Sequence, residues 1–267
     1  MILMSEITSR NISDRCGKSQ RAFELDLLRG VSVVMMILHH AIFDIRYVFE
    51  IDAFAWQESF FFQNILRPPF VFLFLFVSGI CCSFSRSNYR RAVKFAFVAV
   101  LFSLVFFIVS KITDSEMYIV SNVILILAIG TFVYSVIESL ERKKIISDPE
   151  IWIISLAVVV LVLNVLFNRT GSMDLPWLSP LHKSFETGFG MADYMPVIPW
   201  ISMFFSGALV GRLFYSSRRS LFPEPPSFLM KIFAPLIYTG RNALVFYLFH
   251  QPVILMVLFL LRETGII

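Results

Sequence analysis

The sequence predicts an all-α fold, a polytopic integral membrane helix bundle of about seven transmembrane helices with its N-terminus cytoplasmic. Of 267 residues, 57% are hydrophobic and 16% charged, and the mean hydropathy is +0.76. That leaves too little polar surface for a water-soluble domain. The apolar residues run continuously instead of alternating, which excludes the pattern of a membrane β-barrel. Lysine and arginine gather in short segments on alternate sides of the apolar runs, so the formal charge of +4 reflects membrane topology and not a nucleic-acid partner.

Seven spans can be drawn, at 27–49, 69–85, 92–110, 118–138, 151–167, 193–215 and 242–262. Most approach the ~20 residues that a helix needs to cross about 30 Å of hydrocarbon. Residues 1–26 form a polar cytoplasmic tail and 27–267 a single transmembrane domain. The tail carries Arg10, Arg15, Lys18 and Arg21, and the even-numbered loops carry Arg86, Arg90, Arg91 and Lys94, then Arg142, Lys143 and Lys144, then Arg212, Arg218, Arg219 and Lys231. The odd-numbered loops hold only Arg67, Lys111, Arg169 and Lys183, which places the N-terminus inside and the C-terminus outside. The tail is polar for more than twenty residues, so the first span is expected to be retained. Cys16, Cys81 and Cys82 do not form a disulfide framework.

Two stretches depart from simple spans. Residues 168–192 form a long outer loop with Trp177, His182, Lys183 and Glu186, either lying across an opening or serving as a surface linker. Residues 228–239 are apolar, too short to span and carry Pro235, which fits an interfacial helix. No internal repeat is evident, against an inverted-repeat transporter.

The chemical signal sits in the first span, which holds Asp26, Arg29, His39, His40 and Asp44. An ionisable residue at mid-membrane costs about 2.5–3.5 kcal/mol on insertion scales and is normally internal and paired. Arg29 and His40 lie three turns apart on one helix face, with Asp44 one turn beyond. At ~1.5 Å per residue, His40 lies about 20 Å from the cytoplasmic start of the helix, past the bilayer midplane. Asp44 is placed to hold one ring nitrogen of His40 and leave the other to act as a general base; a structural hydrogen-bond pair between helices is the alternative. His39 points about 100° away and is the weaker candidate. Arg29 either binds a ligand or snorkels to headgroups.

The last span adds Arg241, Asn242, Tyr247, His250, Gln251 and Pro252. His250 and Gln251 either line the cavity of His40 or satisfy the helix that Pro252 interrupts. Arg241, at the cytoplasmic boundary, suits an anionic phosphate or lipid headgroups. At the outer end of the sixth span, Asp193 could bond a polar substrate, while Trp200 either stacks on a sugar or belongs to an aromatic belt. Gly207 with Gly211, Ser78-Gly79 and Arg67-Pro68-Pro69 read as packing and boundary features.

Taken in order, ELDLLRGVSVVMMILHH followed by Asp44, FLFLFVSGICCSFSRSNYRRA, DYMPVIPWISMFFSGALVG and TGRNALVFYLFHQPVIL resemble bacterial members of the heparan-α-glucosaminide N-acetyltransferase-like family. The spacing of Arg29 and His40 is also similar to that in the wider group of transmembrane acyltransferases acting on surface polysaccharides. The resemblance implies an enzyme that takes an acetyl group from cytoplasmic acetyl-CoA and delivers it to an amine or hydroxyl of an extracytoplasmic sugar or glycan. It makes residues 27–267 a transmembrane acyltransferase domain, embedded in lipid, in a bacterial inner (cytoplasmic) membrane. It implies no metal and no nucleic acid, and it leaves a homodimer open.

Carried over, His40 is the base or acetyl relay, with Asp44 and His39 beside it. Arg29, Arg241, Arg86, Arg90, Arg91 and Asn242 are candidates for the donor, and Asp193, Trp200, His250 and Gln251 for the acceptor. The lysosomal enzyme of the family has a histidine in the lumenal loop beside its first span, whereas loop 50–68 here carries Glu50, Asp52, Trp56 and Glu58 and no histidine. The competing reading is a proton-coupled transporter with a His40–Asp44–His250 relay. A non-catalytic scaffold is the third.

Overall fold

The computed structural model describes residues 22–113, 121–171, 175, 178–185, 194–222 and 225–266. Among these residues there are helices and no strands. Nine α-helices follow in order: α1 Phe23–Phe43, α2 Arg67–Ile80, α3 Asn88–Thr113, α4 Val123–Arg142, α5 Pro149–Thr170, α6 Val197–Phe214, α7 Ser227–Ile232, α8 Ala234–Arg241 and α9 Ala243–Glu263. π-helical turns extend α1 through Asp44–Val48 and lead into α2 through Phe62–Leu66. With those turns, seven helices are long and apolar enough to cross a membrane, one for each span expected from the sequence.

Burial separates the helices into an inner and an outer set. The apolar windows of α4 and α6 are 56% and 50% buried, whereas those of α3 and α5 are 11% and 6% buried. The outer pair presents continuous apolar side chains such as Phe97, Val100, Leu104, Val158 and Val162, as a lipid-facing helix does. The core is built by Leu75 of α2, Ile124, Ile126 and Leu127 of α4, Phe204, Phe205 and Ala208 of α6 and Tyr247 of α9.

Lipid offers no hydrophobic drive between helices, so close backbone packing must supply the adhesion. The crossing of α2 and α6 provides it. A Cβ on Gly79 would overlap the carbonyl oxygen of Phe204, and one on Gly207 would overlap that of Phe76. Gly211 continues the contact against Ile80. The packing role expected of Ser78-Gly79 and Gly207 is therefore borne out by the structure.

The expected interfacial helix at 228–239 is different. It is two short helices, α7 and α8, broken at Phe233 because Pro235 starts a new helical turn. α8 packs on α1, where Gly30 meets the Leu236 carbonyl and Gly240 meets that of Asp26. This crossing sets Arg241 against the first turn of α1.

At the other end of the bundle, the described part of the long outer loop docks on α5. His182 is fully buried; its Nε2 lies 3.0 Å from Asn164 Oδ1, and its Nδ1 accepts from the Ser184 amide. Burial, reinforced by Lys183, lowers the His182 pKa from its ordinary 6.5. That histidine anchors the loop. Trp177 and Glu186 lie outside the described residues.

Candidate active site

Among the described residues, two cavities lie between the helices. The proximal one, about 400 Å³, is walled by α1, α2, α3, α4, α8 and α9 and is lined by Asp26, Arg29, Cys81, Arg91 and Arg241 among others. The distal one, about 220 Å³, is lined by His39, His40, Trp56, Arg67, Phe70 and Met195 among others. Phe74, Val123 and Tyr247 line both. The cavities therefore abut at a shared neck of two apolar side chains and one phenol.

The proximal cavity is a guanidinium cluster. Arg29 turns inward; Nη2 lies 2.6 Å from Cys81 Sγ, and Nη1 donates to the Gly240 carbonyl at 3.3 Å. Asp26 sits between Arg29, at 3.8 Å, and Arg241, whose Nε is 3.2 Å from Oδ2. Arg91 crosses from α3, bonded to the Ser78 carbonyl at 3.2 Å and lying over the Phe95 ring. Three guanidinium groups against one carboxylate leave the lining positive, suited to phosphate oxygens. Cys82, behind Arg91, is buried.

His39 and His40 line the distal cavity, and His250 packs on His40 from outside that lining, as does Gln251 on Asp44. The ring centroids of His39 and His40 are 5.6 Å apart, and those of His40 and His250 4.9 Å. His250 donates from Nδ1 to the Tyr247 carbonyl at 2.6 Å, in the turn before Pro252, so it serves the interrupted helix while packing on His40. Asp44 is almost wholly buried, and both its oxygens accept from Gln251 Nε2, at 3.0 and 2.8 Å. This pair ties α1 to α9 and satisfies a carboxylate that would be costly alone in hydrocarbon.

The loop between α1 and α2 folds back over this cavity. Arg46 Nε pairs with Glu58 at 2.8 Å, and Arg46 Nη1 reaches Asp52 and the Ala53 carbonyl. Tyr47 also donates to Glu58; these hydrogen bonds, from Tyr47 first and Arg46 next, hold the Glu58 pKa below the usual carboxylate range. Glu50 and Phe54 take positive φ to make the reversal. The turn Ala55–Glu58 then delivers Trp56 to the cavity wall and buries Gln57 against His39.

Of the sequence candidates, His39 and His40 share one cavity, and Arg29, Arg91 and Arg241 share the other. Arg86 and Arg90 are exposed and line neither. Asn242 ends α8 and bonds the Tyr238 carbonyl. Trp200 packs against the core, away from both linings. Asp193 lies outside the described residues. Three residues gain a place that sequence reasoning missed. Arg67 reads as a span boundary, Cys81 only as a cysteine outside any disulfide framework, and Gln57 is not singled out, yet Arg67 and Cys81 line the cavities and Gln57 touches a cavity histidine.

Seven spans around two abutting internal cavities define a polytopic membrane protein with a site inside its helix bundle. Residues 21–252 match the family model described as heparan-alpha-glucosaminide N-acetyltransferase, catalytic, and the chain belongs to that family of membrane acetyltransferases. Comparison with curated proteins and with solved structures gave no significant match.

Proposed function

We propose that this chain is an acetyl-CoA-dependent transmembrane acetyltransferase that moves an acetyl group from cytoplasmic donor to an amine or hydroxyl of an extracytoplasmic sugar or glycan. The observation that carries this reading is the pair of abutting cavities, one lined by guanidinium groups and one by histidines. The Lys and Arg distribution supports a cytoplasmic proximal cavity. Arg29, Arg91 and Arg241 then meet the donor phosphates. Along α1 the eleven residues from Arg29 to His40 rise about 16 Å, a span for the extended pantetheine arm to cross through the neck at Phe74, Val123 and Tyr247.

The thioester then lies beside His40. The acceptor gives up its N–H or O–H proton to His40, its heavy atom bonds to the acetyl carbonyl carbon, and the CoA sulfur leaves as a thiolate. That thiolate takes up the proton and His40 ends neutral. An acetyl-His40 relay has the same net balance. A positioned base of this kind contributes about 10²–10⁴-fold in rate.

The reading is tested by giving purified protein labelled acetyl-CoA and a panel of amino sugars. Label must appear on a sugar, and Arg29→Gln must raise the KM for acetyl-CoA by about 10–100-fold, the worth of one charged hydrogen bond, with kcat nearly unchanged. Absence of CoA binding in the wild type would overturn it.

A further inference from the structure

Gln57 holds the key to the two adjacent histidines. It is buried, and its single Nε2 atom lies 2.7 Å from His39 Nδ1 and 3.3 Å from the His39 backbone carbonyl. A carbonyl oxygen only accepts, so the Gln57 atom facing it must carry hydrogens; the reverse amide orientation would set oxygen against oxygen. The same NH₂ group therefore donates to Nδ1, which must carry its lone pair. Neutral His39 is left with its proton on Nε2.

The contact is braced from three sides. Gln57 N donates to the Phe54 carbonyl at 2.9 Å, and Gln63 donates to the Gln57 carbonyl at 2.9 Å. The Trp56 ring meets Phe62 edge-on at 4.9 Å, and Phe62 in turn packs against His39. The flanking Arg46–Glu58 pair pins the turn to the end of α1. A loop held this way maintains one imidazole orientation.

We infer that Gln57 is a positioning residue that locks His39 as an Nε2–H donor, so that the two neighbouring histidines take opposite parts in acetyl transfer. This rests on the proposed acetyltransferase reading. His40 accepts the acceptor's proton. His39 cannot do so through Nε2, which already bears one; it donates a hydrogen bond to the acetyl carbonyl oxygen as negative charge builds there. Arg67, a cation lining the same cavity, adds to that stabilisation. A carboxylate at position 57 would accept from Nδ1–H and drive the proton off Nε2, inverting the role.

The test uses full-length protein in detergent with ¹⁵N-labelled histidine, the His39 signals assigned by their loss in His39→Phe. The wild type must show Nε2 protonated and Nδ1 bare, and Gln57→Glu must show the reverse. Gln57→Glu must also lower kcat about 100-fold, the worth of one donor to a developing oxyanion, with the KM for acetyl-CoA unchanged. Gln57→Leu, which keeps volume but neither accepts nor donates, must lose less and shift the pH profile of kcat. Wild-type His39 protonated on Nδ1, or an unchanged kcat in Gln57→Glu, overturns the inference. A wild type that transfers no acetyl group overturns the functional reading instead, and the spectra still decide the tautomer.

Discussion

Replacing His40 by alanine is expected to lower kcat for acetyl transfer by about 10²–10⁴-fold while leaving acetyl-CoA binding at its wild-type strength. The separation of the two effects follows from the two cavities. His40 lines the distal one, whereas Arg29, Arg91 and Arg241 line the proximal one. Its ring is wedged between His39 and His250, so removal costs packing as well as a base. His40→Gln keeps most of the volume and a polar tip, and it should be as inactive as alanine if proton transfer is what is lost. Single-turnover label transfer together with calorimetric CoA binding checks both halves. Transfer that survives either substitution would remove His40 from the mechanism.

The second large effect lies far from the histidines. Gly207→Leu is expected to yield no folded protein, and Gly207→Ala a clearly less stable one. Overpacking a core that can shift costs about 1–3 kcal/mol. Here the obstacle is the Phe76 backbone carbonyl and not a movable side chain, so even one methyl forces α2 and α6 apart. Separation would also open the Gly79–Phe204 contact on the same crossing. Thermal unfolding in detergent, followed by circular dichroism, reads the loss. A wild-type melting curve for Gly207→Ala would show that the crossing has slack.

Much of this architecture is legible in the chain because membranes make hydropathy a strong signal. Seven apolar runs become seven spans, and the differences are at their ends, where α1 starts at Phe23, inside the expected tail, and the second span runs from Phe62 to Ile80 instead of 69–85. The face shared by Arg29 and His40 is legible too, since 3.6-residue periodicity puts both along one side of a single helix. What one helix cannot reveal is its partner across an interface. Spacing puts Asp44 one turn from His40; the structure shows it gripped by Gln251 from α9, 207 positions away in sequence.

The same reasoning explains Gln57 and Arg67. Both lie in or beside a loop whose return path depends on the Arg46 pairings and on two residues with positive φ, and no periodic pattern encodes that path. The neck of Phe74, Val123 and Tyr247 is drawn from three helices, so it exists only once the bundle has packed. Individually, Phe74 and Val123 read as ordinary apolar lining, and Tyr247 as one more polar residue of the last span.

The central claim is that donor and acceptor meet inside the bundle from opposite faces of the membrane. It is tested most directly in proteoliposomes of fixed orientation, with labelled acetyl-CoA supplied on the side of the N-terminus and an amino sugar sealed on the other. The account predicts label on the enclosed sugar, none on sugar supplied beside the donor, and loss of signal in His40→Ala. Label appearing only on sugar that shares a compartment with acetyl-CoA would contradict it.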